Sequence, residues 1–185
     1  MSQSNFLNTP FGGAGTQKFS IGGITELFLL PHAKLGALTT TKDAFGNDTA
    51  ITAIAVASGA TFQEIDFVEF SASYTDAYKL NNTQKYMEQV LNFTVNAAGS
   101  GAIEQAHQIL LNRRHVALAR RKNGKLYLIG ASFGLVPTEG KADSGAKQED
   151  DAAMQFTLSG ANLGFAPEVT LDATSLAAIV THLAQ

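Results

Sequence analysis

The sequence predicts a mainly β fold: an antiparallel β-sandwich or barrel with one flanking α-helix and a short C-terminal helix. Two observations predict it. Many short apolar segments are bounded by turn residues, several of them alternating, and only one interior stretch has helical spacing. No repeat or linker divides the chain. We therefore expect one principal domain, residues 20–170, between an extended N-terminal arm, residues 1–19, and a C-terminal segment, residues 171–185.

Composition excludes several classes of protein. Of 185 residues, 45% are apolar and only 16% charged, none is Cys, and 13 Lys and Arg face 16 Asp and Glu, a net charge of −3. The apolar fraction is sufficient for a core, the absence of Cys excludes disulfides and thiolate sites, and no apolar run reaches the ~18–20 residues of a membrane-spanning helix. The acidic balance argues against tight nucleic-acid binding. The low charge is typical of a surface that is largely buried against other copies.

Apolar and alternating segments place the strands. Residues 24–30 are apolar and β-prone and end at Pro31. Residues 85–95 and 154–159 alternate, as expected of antiparallel strands with one buried face. The predicted strands are residues 24–30, 51–57, 62–74, 85–95, 115–121, 125–130 and 154–159, with Asn123-Gly124 as the turn of a hairpin. The Thr-rich segment 34–50 and the polar segment 135–151 are predicted as loops.

Two helices are predicted. The interior helix follows Ser100, and Ile103, Ala106, His107 and Leu110 fall on one apolar stripe, so we interpret His107 as a packing residue. The C-terminal helix begins after a cap at Asp172 or Thr174 and continues through Leu183.

Residues 130–134, Gly-Ala-Ser-Phe-Gly, match the nucleophile elbow of α/β-hydrolases and would make Ser132 an esterase nucleophile. That motif needs a strand before it and a helix after it, and Pro137 and Gly140 in the following residues do not favour a helix. The alternative interpretation is a pair of glycines that bend the chain after a hairpin strand. We therefore predict no catalytic residue. The spacing of the four histidines favours neither a metal site nor a cofactor site.

Aromatic and charged residues mark candidate contacts between subunits. The densest positive region is a basic cluster of Arg113, Arg114, Arg120, Arg121, Lys122 and Lys125. It lacks interleaved aromatic residues, so we predict that it meets an acidic surface of another copy rather than nucleic acid. The acidic candidates are the segment from Glu64 to Asp66 and a run at 149–151. The candidates for contacts between subunits are Phe6, Phe11, Phe19, Phe45, Arg113, Arg114, Arg120, Arg121, Glu149, Asp150 and Asp151.

Several short strings follow one another in a characteristic order: Gly-Gly-Ile-Thr-Glu-Leu at 22–27, Glu-Gln-Val-Leu-Asn-Phe-Thr at 88–94, Asn-Gly-Lys-Leu-Tyr-Leu-Ile-Gly at 123–130 and Phe-Thr-Leu-Ser-Gly at 156–160. Over about residues 20–165, this order resembles tail tube-like virion proteins of tailed bacteriophages of the Bacteroidetes type, which have relatives in type VI secretion tubes.

The resemblance implies a β-barrel or sandwich subunit that stacks as hexameric rings around a conduit for DNA ejection. It implies a non-enzymatic protein of the virion, assembled in the host bacterial cytoplasm without a membrane or cofactor. Its partners would be copies of itself, other virion proteins, and DNA that passes without specific binding. The loop at 34–50, which contains Phe45, would reach a neighbouring ring, and the N-terminal arm and the segment from Pro167 would add contacts.

Within such a conduit, Glu64 and Asp66 are the candidates for the lumen lining, because carboxylates repel phosphates. The same alternation also fits a solvated outer face. Three other functions stay open: another virion part (a head decoration, tail terminator or connector ring protein), a lipocalin-like binding module with an apolar cavity, and a small serine esterase using Ser132.

Overall fold

The computed structural model describes residues 22–42, 48–96, 102–143 and 153–182. These ranges contain twelve strands and two α-helices, which confirms the mainly β prediction. The strands are β1 (Ile24–Pro31), β2 (Leu35–Lys42), β3 (Asp48–Val56), β4 (Phe62–Glu64), β5 (Ser73–Asn81), β6 (Gln84–Asn96), β7 (His115–Arg121), β8 (Leu126–Ile129), β9 (Val136–Asp143), β10 (Ala153–Asn162), β11 (Glu168–Val169) and β12 (Val180–Thr181). The helices are α1 (Ala102–Leu111) and α2 (Ala173–Ile179), with a 3-10 turn at His32–Lys34.

The strands form two sheets. The large sheet has the order β12-β4-β1-β7-β8-β11-β3-β2, and the small sheet has the order β5-β6-β10-β9. Neighbouring strands are antiparallel except for the two-residue pairs β11–β3 and β12–β4. The curled sheets form a half-barrel.

One apolar core lies between the two sheets. Leu27 of β1 packs in a buried cluster with Leu91 and Phe93 of β6 and with Phe156 and Leu158 of β10. The rings of Phe93 and Phe156 stack with their centroids 5.3 Å apart. The predicted alternation of β6 and β10 is confirmed, because their apolar positions face this core.

A second core covers the opposite face of the large sheet. Phe28, Val116 and Leu118 of β1 and β7 are buried there with Ile54 of β3 and Ile179 of α2. Because both of their faces are buried, β1 and β7 are apolar over most of their length instead of alternating.

The predicted long strand at 62–74 is wrong. It is divided into β4, which ends at Glu64, and β5, which starts at Ser73. Between them the chain turns at Phe70, whose φ of 64° lies in the left-handed region that bulky residues seldom occupy.

Both predicted loops contain strands. In the segment 34–50, residues 35–42 form β2 and residues 48–50 begin β3, and the two strands pair antiparallel, with Thr41 Oγ1 and Thr49 Oγ1 2.9 Å apart. Threonine is β-prone and pairs well across strands, so its abundance there indicated strand rather than loop. Part of the segment 135–151 forms β9, an edge strand, where Pro137 and Gly140 are tolerated.

Both helices exist, and each differs from its prediction. In α1 the buried residue is Ala106, whereas Ile103, His107 and Leu110 are exposed, so the predicted packing role of His107 is wrong. Helix α2 is capped by Asp172, whose Oδ1 accepts a hydrogen bond from the Ser175 N–H at 3.2 Å. It ends at Ile179 instead of Leu183, because the chain continues as β12 and pairs with β4.

Candidate functional site

The small sheet ends in two open edges. Within the described ranges, β5 pairs only with β6, and β9 only with β10. All three pairs in this sheet are antiparallel, so β5 and β9 run in opposite directions. An edge strand presents unpaired N–H and C=O groups to which another chain can add. The small sheet therefore has two long open edges whose strands run in opposite directions.

The face of the small sheet that points away from the core is polar. Its central residues alternate with the buried positions of β6 and β10, and Thr157 Oγ1 donates a hydrogen bond to Asn92 Oδ1 at 2.9 Å. The register places hydroxyl and amide groups on this face, among them Thr75, Asn92, Thr94, Gln155, Thr157 and Ser159. It also places Lys79, Lys141, Glu88 and Glu139 there, two charges of each sign.

The predicted lumen residues Glu64 and Asp66 do not lie on the small sheet. Glu64 ends β4 in the large sheet, and Asp66 lies in the connection that follows, so their predicted common strand face is wrong. Both nevertheless line one groove of about 330 Å³ with Glu26, Glu69 and Phe70.

Specific contacts hold the walls of this acidic groove. Arg120 Nε donates to Glu26 Oε2 at 2.7 Å, and His182 Nδ1 lies 3.1 Å from Glu64 Oε2. The ammonium of Lys122 lies 4.0 Å from the ring centroid of Phe70. Carboxylates clustered in this way repel phosphate, and the side chains of Arg120 and Lys122 balance part of their negative charge.

The structure separates the predicted basic cluster. Arg113 and Arg114 follow α1 and line a second groove of about 290 Å³, where Arg114 Nη1 donates to the Phe133 carbonyl at 3.1 Å. Arg120 and Arg121 lie at the far end of β7, about 20 Å along the strand.

The last two arginines contact residues of the same chain, and their predicted contact with another copy stays a prediction. Arg120 pairs with Glu26. The guanidinium of Arg121 lies 4.7 Å and 4.3 Å from the ring centroids of Tyr74 and Tyr127, and it hydrogen-bonds the Tyr74 hydroxyl. Burial, the largest cause, raises the pKa of Tyr74 to about 12.

The glycine-flanked serine lies in a turn between two strands. Gly130 and Gly134 have φ of 79° and 78°, and the chain continues into β9 instead of a helix. The backbone N–H groups of Ser132 and Phe133 donate to Asn162 Oδ1 at 3.1 and 3.3 Å. This geometry fits the interpretation of two bending glycines better than a nucleophile elbow.

A buried polar network that the sequence analysis missed connects the two sheets. Gln89 Oε1 accepts the Gly130 N–H at 2.8 Å, and Gln89 Nε2 donates to the Gly164 carbonyl at 3.3 Å. Asp76, opposite Gln89 in the register, accepts the Ala166 N–H at 3.2 Å, and burial raises the pKa of its carboxyl group. The sequence contains a signal for this network, because Gln89 is the polar residue among the alternate, inward-facing positions of β6 from Met87 to Phe93.

Other predicted contact residues lie outside the described residues. They are Phe6, Phe11, Phe19, Phe45, Glu149, Asp150 and Asp151. In the part of the chain that is described, no group of three or more His, Asp or Glu side chains is placed to hold a metal ion. Neither described helix combines the length and apolarity needed to cross a lipid bilayer.

The fold and site define a mainly β protein, and within the described residues one of its sheets has open edges and a polar face. Comparison with known proteins finds no matching family model, no matching curated protein and no matching solved structure.

Proposed function

We propose that this protein is a structural subunit that joins edge to edge into hexameric rings, and that stacked rings form the tail tube of a bacteriophage. The observation that carries the ring is the pair of open, oppositely directed edges β5 and β9. The assignment to a phage tail rests on the sequence resemblance. Joining the edges between copies removes two surfaces that would otherwise promote aggregation.

The strand directions favour closure. If β5 of one copy lies beside β9 of the next, the new pair is antiparallel and continues the alternation of the small sheet. The contact is head to tail, and an interface of this type generates a closed ring when the rotation between copies closes. The polar faces of all copies then form one continuous wall.

The register within the small sheet, together with an assumed pairing between copies, sets the dimensions expected of such a ring. Ala77 of β5 lies opposite Glu88 of β6. On the other edge, Glu139 of β9 lies opposite Thr157 of β10, which in turn lies opposite Asn92 of β6. The two edge residues are therefore offset by four residues along β6. If Ala77 pairs with Glu139 of the next copy, each subunit advances four strand spacings, about 19 Å, across the sheet and about 13 Å along it. The strands then tilt by about 35° from the ring axis, within the ~35–45° of closed barrels.

Six of these steps, each about 23 Å, enclose a backbone diameter of about 44 Å. Inward side chains reduce the open lumen to roughly 35 Å, which is wider than a DNA duplex. The lumen wall would be the polar face of the small sheet rather than Glu64 and Asp66. Its hydroxyl and amide groups and balanced charges would allow DNA to pass without tight binding.

Electron microscopy of the purified protein tests the assembly. We expect six-fold rings and stacked tubes. Trimers or single capping rings would favour a head decoration, terminator or connector role, and a strictly monomeric protein at high concentration would refute ring formation.

Cysteine cross-linking tests the edge contact. Because the chain contains no Cys, only the introduced cysteines can form disulfides. Directly opposite positions on paired strands bring Cβ atoms within about 4.5–5.5 Å, close to disulfide geometry. We expect oxidised Ala77→Cys/Glu139→Cys protein to give a ladder of oligomers up to the hexamer. Ala77→Cys/Lys141→Cys tests the register shifted by two residues, and Ala77→Cys/Thr52→Cys, with Thr52 exposed on β3, is the control.

A further inference from the structure

We infer that the exposed apolar stripe of α1 covers Tyr78 and Leu80 on β5 of the neighbouring copy, so that a helix clamps each junction between sheets. The stripe consists of Ile103, His107, Leu110 and Leu111, which lie on one side of the helix. This inference rests on the proposed function, because it requires β5 and β9 to meet between copies.

The stripe is unusual in its orientation. Ile103 and Leu111 are 65% and 81% exposed, while Ala106 faces the core with the partly buried Ile109. A surface helix normally turns its large apolar residues inward. Here the small residue faces the subunit's own core, and three large aliphatic residues face outward.

The stripe lies beside the open edge of β9. Leu110 sits directly over Gly140 of β9, since a Cβ atom on Gly140 would come within 2.8 Å of Leu110 Cδ2. Gly140 pairs with Phe156, whose side chain is buried in the core between the sheets. Helix α1 therefore lies on the core side of the small sheet, at the edge where the next copy would join.

The opposite edge carries matching apolar residues. Tyr78 and Leu80 of β5 are 57% and 59% exposed. Tyr78 pairs with the buried Met87, so it also belongs to the core side of the sheet. The two apolar patches thus lie on the same side of opposite edges.

Strand pairing constrains how these patches meet. A sheet that continues from one copy to the next keeps its polar side and its core side, so Gly140 must lie opposite a core-side residue of β5. That residue is Asp76 if Ala77 pairs with Glu139, and Tyr78 if Ala77 pairs with Lys141. In both registers Tyr78 lies opposite Gly140 or two residues from that position, below α1. The occupant of the stripe is therefore a second copy of this chain.

Cross-linking tests the contact at a site away from the strand edge. In the full chain, His107→Cys/Tyr78→Cys treated with a short bismaleimide should give oligomers, at least tenfold more than Gln105→Cys/Tyr78→Cys. Gln105 is exposed on the far side of the same helix. Circular dichroism of each variant confirms that the fold is retained.

The outcomes separate the two proposals. Cross-links at both 77/139 (or 77/141) and 107/78 support the clamp. Cross-links at the strand edge without cross-links at 107/78 overturn the clamp and leave the ring intact. Failure of all these pairs overturns both proposals. As a second measurement, Leu111→Asp should weaken self-association at least tenfold relative to Gln108→Asp, and equal association of the two variants would also overturn the clamp.

Discussion

Any side chain at Gly160 of β10 is predicted to destabilise the fold, because the backbone of another segment occupies the space that the side chain would need. A Cβ atom there would lie 2.2 Å from the carbonyl oxygen of Gly134, whereas such C···O contacts rarely fall below ~3.3 Å. In Gly160→Ala, the 130–134 turn must therefore move by about 1 Å. That movement strains its two hydrogen bonds to Asn162 Oδ1, each worth about 1 kcal/mol, in addition to an overpacking cost of about 1–3 kcal/mol.

The expected loss is about 3 kcal/mol in the free energy of unfolding, or a fall in Tm of about 6–12 °C for a chain of this length. Urea unfolding followed by circular dichroism measures it, at one subunit concentration because association adds to apparent stability. Gly164→Ala is the matched control, since no atom lies within 4 Å of its new Cβ. Its stability should stay within about 0.5 kcal/mol of wild type. If Gly160→Ala also unfolds within that margin, the reasoning from close approach is wrong.

Three further predictions concern buried or strained groups. Burial lowers the pKa of His115, so below about pH 6.5 the unfolded chain takes up a proton that the folded chain resists, and stability falls by up to ~1.4 kcal/mol per pH unit. Urea titrations should show a smaller acid slope in His115→Gln, whose amide can still donate to the Ile109 carbonyl, and an unchanged slope would exclude His115 as the source. Burial raises the pKa of Asp76, so the stability contributed by its protonated form is present below about pH 3.9 and is lost as the pH rises through the folded-state pKa. Asp76→Asn should therefore be more stable than wild type at pH 7 but not at pH 3.5, and equal stability at both values contradicts this. Because Phe70 has a φ of 64°, Phe70→Gly should have a free energy of unfolding about 1–2 kcal/mol higher than Phe70→Val in urea titrations, and the reverse order would refute strain at this turn.

The fold was predictable where burial leaves a direct trace in the residue pattern. The inward series of Leu91 and Phe93 alternates with Asn92 and Thr94 because one face of β6 is buried, and β1 is almost entirely apolar because both of its faces are buried. Strand β9 was missed because an exposed edge imposes no burial pattern, so Gly140 suggested a loop.

The candidate site was less predictable because it depends on which side of an element meets the rest of the molecule. Spacing placed Ile103 and Leu110 on one stripe of α1, but spacing alone does not show that the subunit's own core contacts Ala106 instead. Glu64 and Asp66 were assigned to one strand face, and a single left-handed residue, Phe70, lies in the turn that divides that segment. The open edges of the small sheet follow from strand order, which no local pattern records.

The β2–β3 hairpin has a consequence for local unfolding. Within the described residues, the hairpin joins the rest of the large sheet through a two-residue pairing between β3 and β11, at Ala50 and Ile51. On the other side of β3, residues 39–42 of β2 pair through a register that shifts repeatedly and carry mostly exposed side chains. Amides of residues 39–42 should exchange hydrogen through low-energy local opening, whereas those of β1 and β7 should exchange only through global unfolding. Because residues 39–42 of β2 contribute no buried side chain, this end of the strand can open while both cores stay closed.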